Sequence, residues 1–137
     1  MRYLGLDLGS RTLGMALSDS LGIIASSYKI VRHNENYDEL ISVIDDVVKE
    51  KKIDAIVLGL PKNMNNTIGP KGELSFQFKE MLEKELNLPV YLQDERLTTK
   101  QAENLLINND TSRKKRKKVI DSMAATIILQ SYLDKKK

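Results

Sequence analysis

No cysteine occurs among the 137 residues, which excludes disulfides, zinc–thiolate sites and a thiol nucleophile together. Any catalyst built from this chain must work through oxygen or nitrogen ligands. Histidine is almost as scarce: the one residue, His33, stands in the polar stretch VRHNENYD and reads as an exposed loop residue rather than a general base. No apolar run approaches the ~20 residues that span a bilayer. The opening MRYLGLDL is strand-like and has neither the apolar stretch nor the small-residue cleavage site of a signal peptide. These absences predict a cytoplasmic protein with no membrane partner.

What is present has a globular balance, with 41% hydrophobic and 30% charged residues. The length predicts a single domain over 1–137, large enough for its own core. A net charge of +3 and a pI near 9.0 suit an anionic partner, but the distribution of that charge says more.

Arg2 to Leu8 and Gly14 to Ser18 are short, β-prone and separated by Gly9, Ser10 and Arg11, the pattern of a hairpin, and Ile23 to Val31 continues as a third strand. From Tyr37 to Lys51 the apolar positions recur at spacings of three and four, one stripe of an amphipathic helix that Asn34 or Asn36 can cap. The run from Ile53 to Leu60 is apolar almost throughout, as in a central strand covered on both faces. After the loop PKNMNNTIGPKG, residues Leu74, Phe78, Met81, Leu82 and Leu86 mark a second helix, and VYLQ beyond Pro89 a short strand. Thr98 and Gln101 have capping-box spacing for a helix toward Asn109. The closing VIDSMAATIILQSYL is apolar around most of its circumference and must pack on more than one neighbour. This order calls for an α/β fold, a mixed five-stranded sheet flanked by helices.

In such sheets, sites lie beyond the carboxyl ends of the strands. Asp7 falls near the end of the first strand, Glu95 follows the last, and Asp121 lies on the mostly apolar helical line Asp121, Ala125, Ile128, Tyr132. A carboxylate in apolar surroundings must be paired, protonated or bound to a cation. Each acid also has a plainer reading: a turn residue for Asp7, an ion pair for Glu95, a solvated helix start for Asp121. Their convergence from three elements favours a shared site, and oxygen ligands favour Mg²⁺ or Mn²⁺ over zinc. Two such ions ~4 Å apart can activate a water and stabilise the leaving oxygen of a phosphodiester.

Six consecutive cations, Arg113, Lys114, Lys115, Arg116, Lys117 and Lys118, stand just before or within the first turn of the last helix. The helix dipole disfavours positive charge there by roughly 0.3 to 1 kcal/mol per residue, so phosphate binding is the expected compensation. The loop PKNMNNTIGPKG, a candidate flap over substrate, lacks the spacing of a Walker loop.

The stretches GLDLGSRTLGMALSD, LGLPKNMNNTIGPKGE, DERLTTKQAENLL and SRKKRKKVIDSMAATIILQSYL together resemble the YqgF-type (RuvX-like) family. That family is described both as Holliday junction resolvases and as nucleases of pre-16S ribosomal RNA. The resemblance implies a ribonuclease H-like nuclease domain with a divalent-metal site. The family's acids fall on Asp7, Glu95 and Asp121, and its glycine-flanked hairpin with a basic residue falls on Gly5, Gly9, Arg11 and Gly14. Gly9 is expected to allow a close backbone approach to the metal ligand. The Pro-Leu pair expected near residue 25 is replaced by Ala25-Ser26-Ser27.

The hairpin also resembles the first phosphate loop of the actin, sugar-kinase and chaperone ATPases, but those clamp ATP between two such domains. Structured RNA is the favoured partner over four-way DNA junctions, with ribosomal precursor particles as a wider one. A resolvase is expected to act as a two-fold dimer, and no heptad run or extra apolar helix builds one here; monomer and dimer both stay open. A non-catalytic RNA-binding assembly factor is the alternative outside enzymes.

Overall fold

Gly9 closes the first hairpin, donating its N–H to the Thr12 carbonyl at 2.8 Å between β1 (Tyr3–Leu8) and β2 (Thr12–Ser18). The computed structural model describes residues 1–9, 11–60, 69–94 and 113–136, and of 70, 71, 94, 113–122 and 136 the backbone alone. The order continues with β3 (Ala25–Arg32), α1 (Tyr37–Lys51), β4 (Ala55–Leu60), α2 (Pro70–Leu86), β5 (Val90–Asp94) and α3 (Arg113–Lys136). The sheet runs β3-β2-β1-β4-β5. The first three strands form an antiparallel meander, and β4 and β5 lie parallel to β1.

Both faces are covered. Alternation along β1 sends Leu4 and Leu6 to one side, into a core with Leu40, Ile44, Phe78 and Leu82 of α1 and α2. Tyr3 goes to the other side, with Ala125, Ile128, Leu129 and Leu133 of α3. β4 is buried at all six positions, as a central strand between two helical layers must be. The last helix lies across the sheet and touches all five strands. Among the described residues no helix is long and apolar enough to cross a membrane.

Several boundaries differ from the sequence expectation, each for a local reason. The third strand begins at Ala25 because the Asp19 carboxylate accepts the N–H groups of Ile23 and Ile24 at 2.7 and 3.0 Å, holding both in a loop. The replacement of Pro-Leu by Ala25-Ser26-Ser27 leaves the strand intact. The Ala25 N–H donates to Gln130 Oε1 at 2.9 Å, and the hydroxyls of Ser27 and Thr126 meet at 2.8 Å, both ties to α3. Of the two candidate caps, Asn36 serves α1, accepting the Glu39 N–H at 3.1 Å. α2 starts at Pro70, so the last three residues of PKNMNNTIGPKG are helical; Gly69 is the cap and proline suits the first helical position. The basic run fills the first six positions of α3 and so extends beyond its first turn. Residues 61–68 and the expected helix from Thr98 to Asn109 lie outside the described residues.

Candidate active site at the carboxyl ends of the parallel strands

Because β1, β4 and β5 are parallel, their carboxyl ends share one edge of the sheet, and the β1–β2 turn lies on that edge too. Asp7 stands there, on the α3 side of β1 by its alternation with Tyr3 and Gly5, and is half-buried. The ladder gives it an unusual row. Gly14 of β2 is its partner. On β4, one step beyond the pair Leu6 and Leu58, it is flanked by Gly59, which in turn pairs with Gln93 of β5. With glycine on both neighbouring strands, neither β2 nor β4 places a side chain in the position next to Asp7, one strand spacing of ~4.8 Å to either side.

The direction of α3 brings a second acid to this edge. Thr126 bonds Ser27 whereas Gln130 bonds Ala25, so α3 runs antiparallel to β3 and its N-terminal end points to the Asp7 edge. At Gly5 the helix lies against β1, with the Ala125 carbonyl oxygen 3.1 Å from where a Cβ would be. Four residues back along the helix is ~6 Å and two residues forward along β1 is ~6.6 Å. The backbone of Asp121 is therefore carried beside that of Asp7. Its helical line is buried at Ala125 and Ile128, as the sequence pattern required.

The other expected site residues divide. Glu95 follows β5 immediately and lies outside the described residues. The backbone of Arg113 to Lys118 forms the start of α3, on the same edge. Arg11 is exposed in the β1–β2 turn. Gly5 is crowded by the helix, not by a ligand: its Cβ would stand 2.7 Å from the Leu129 Cβ. Gly9 is crowded within its own hairpin, by the Thr12 carbonyl and hydroxyl oxygens at 3.1 and 3.2 Å. The close approach at both glycines is thus protein against protein.

Among the described residues no three acids or histidines cluster tightly enough to hold a metal ion, and two of the three expected acids have side chains beyond that set. What is described fits a hard cation: the Asp7 carboxylate stands on this edge, and the chain has no cysteine.

Three residues of this edge were not assigned to it from the sequence. Gly59 and Gln93 enter only through strand register. His33, expected as an exposed loop residue, is half-buried and engages both ring nitrogens. Nε2 lies 2.9 Å from the Gly9 carbonyl oxygen, and Nδ1 accepts the Glu35 N–H at 3.0 Å. Its position just after a strand that must end beside the first turn was the available signal.

Among solved structures, RuvC of Thermus thermophilus in complex with a Holliday junction substrate superposes with a TM-score of 0.60 at 16% identity, covering 99% of this chain and 96% of that one. The shared architecture is the ribonuclease H-like sheet. A ROK family protein from Streptococcus pneumoniae shares the fold at a TM-score of 0.53 and 18% identity, with 80% of this chain covering 39% of that one. Sequence relatives are much nearer. A Bacillus subtilis protein named "Putative pre-16S rRNA nuclease" is 56% identical over 135 residues, 98% of each chain. A Leuconostoc citreum protein of the same name is 52% identical, covering 98% of this chain and 95% of that one. The family model described as "RuvX: Holliday junction resolvase" matches residues 1–135, and with these full-length relatives the chain belongs to the RuvX family.

Proposed function

We propose that this chain is a divalent-metal-dependent nuclease that processes the 5′ end of pre-16S ribosomal RNA. The observation that supports the reading is that Asp7, set between Gly14 and Gly59, stands on the edge of the sheet toward which the N-terminal end of α3 runs. Asp7, Asp121 and Glu95 are the proposed holders of Mg²⁺ or Mn²⁺. Such an ion, when bound, supplies water activation and charge stabilisation for phosphodiester hydrolysis. The chain's own residues bind and orient: Arg113 to Lys118 and Arg11 hold phosphates electrostatically, and the glycines beside Asp7 leave room for a nucleic-acid backbone. The names of the full-length relatives support RNA as the substrate, whereas the family description supports a four-way DNA junction as the second reading.

One pure preparation given both substrates with Mg²⁺ or Mn²⁺ at matched ionic strength decides between them. The expected result is cleavage of RNA extended from the 5′ end of the small-subunit ribosomal RNA, lost in Asp7→Asn with the fold retained. Symmetric nicking of junctions with RNA left intact would establish the resolvase reading instead. RNA binding without cleavage under any metal would leave a non-catalytic assembly factor.

A further inference from the structure

We infer that His33 is a positioning residue that locks the β1–β2 turn and so fixes the end of β1 on which Asp7 stands; the catalytic part of this inference rests on the nuclease reading above. His33 leaves β3 at the point where the meander reaches the turn. Its backbone N–H donates to the Arg11 carbonyl at 2.9 Å, adding one rung beyond the β2–β3 ladder. Its ring then reaches past β2 to the residue that follows β1, where Nε2 meets the Gly9 carbonyl oxygen at 2.9 Å. A single residue of β3's exit thus holds both sides of the hairpin turn.

The hydrogen-bond partners select one form of the ring. The Glu35 N–H can only donate, so Nδ1, 3.0 Å away, must accept. The Gly9 carbonyl can only accept, so the one proton of the neutral imidazole belongs on Nε2. Both contacts are satisfied by the same tautomer and lost together if the ring turns over. The ring is also backed by aromatic packing. The Tyr37 ring lies 6.2 Å from it, and Tyr37 meets the buried Phe78 edge-on at 5.9 Å, which connects the turn to the core beneath α1 and α2. Glu35 holds a left-handed backbone, φ 65°, a conformation that residues with a Cβ rarely adopt. That strained residue is the one whose N–H supports the histidine.

Asp7 lies two residues before Gly9, too few to absorb a change in the turn. A misplacement of ~1 Å in a catalytic group can lower a rate about 100-fold, so a clamp on Gly9 has a direct route to turnover.

The test compares His33→Phe, which keeps a ring but removes both hydrogen bonds, with His33→Gln, whose amide offers one donor and one acceptor, at a temperature where every variant is folded. The expected result is a fall in kcat on the order of tenfold for His33→Phe with KM for RNA nearly unchanged, a raised Mg²⁺ requirement, and recovery in His33→Gln. Wild-type kcat in His33→Phe would overturn the inference. Nitrogen-15 spectra test the clamp apart from any nuclease activity. The wild type should show the Nε2–H tautomer, and His33→Phe should exchange its Gly9 amide faster and shift the Asp7 amide. An Nδ1–H tautomer, or unchanged amides, would overturn it. If the wild type cleaves nothing, the nuclease reading fails while these spectra still judge the clamp.

Discussion

Gly5 and Leu129 are in contact through backbone and Cβ, so closely that a Cβ on Gly5 would stand 2.7 Å from that of Leu129. This contact sets how far α3 stands from β1 and therefore where the helix backbone lies over the strand that carries Asp7. Gly5→Ala must push the helix away, since neither neighbour is the flexible end of a side chain. Overpacking of this kind costs typically 1 to 3 kcal/mol. A lower midpoint of denaturant unfolding should accompany a loss of cleavage measured well below that midpoint. Wild-type cleavage from the destabilised variant would show that the helix spacing does not govern the site.

The basic start of α3 should supply affinity without sequence choice, because phosphate contacts carry no base information. Replacing Arg113, Lys114, Arg116 and Lys117 by Ala should weaken binding to all sequences alike. With all four on phosphate, the slope of log affinity against log salt should fall by about 3 to 4 units. Salt titration of a labelled RNA reads this, and an unaltered slope would make the run a solvated face.

At the opposite edge of the sheet, the Asp19 carboxylate is held below its ordinary value of 3.8 by accepting the N–H groups of Ile24 and Ile23. A depressed carboxylate contributes stability above its unfolded value and loses it as pH falls through the folded one. The difference in Tm between wild type and Asp19→Ala should therefore be constant near neutrality and shrink in acid, below pH 3.8. A gap independent of pH would mean that the loop is held by its backbone bonds alone.

Lys52 ends α1 in the left-handed conformation, φ 53°, with its N–H on the Val48 carbonyl. Glycine is the residue suited to that position. Lys52→Gly should raise stability by a few tenths to about 1 kcal/mol, read as an increase in Tm with activity unchanged.

The elements of this protein were legible wherever their signal is local. The stripe from Tyr37 to Lys51 predicted α1 with both boundaries, because helical periodicity and the Asn36 cap are properties of adjacent residues. The apolar run ending at Leu60 predicted a doubly covered strand, and burial of every position of β4 agrees. The line Asp121, Ala125, Ile128 was recognisable as a face before anything was known of what it faces. Family motifs pointed to the same acids, and the fold carries Asp7 and the backbone of Asp121 to one edge.

Register and distance were decided elsewhere. That Gly14 and Gly59 flank Asp7 follows from which strand pairs with which and at what offset, and residues 7 and 59 share no local pattern. The role of Gly5 depended on a helix more than a hundred residues away. His33 looked like loop because its neighbours are polar, yet its ring partners are Gly9 and Glu35; one of these is remote, and the other turns toward it only through a left-handed backbone. Among the described residues, sequence by itself determined the elements and their order, and it named the acids offered for a site. Only tertiary structure decided which glycines clear the space beside Asp7 and what holds its turn, because strand pairing and helix docking join residues whose spacing along the chain encodes nothing of their spacing in the fold.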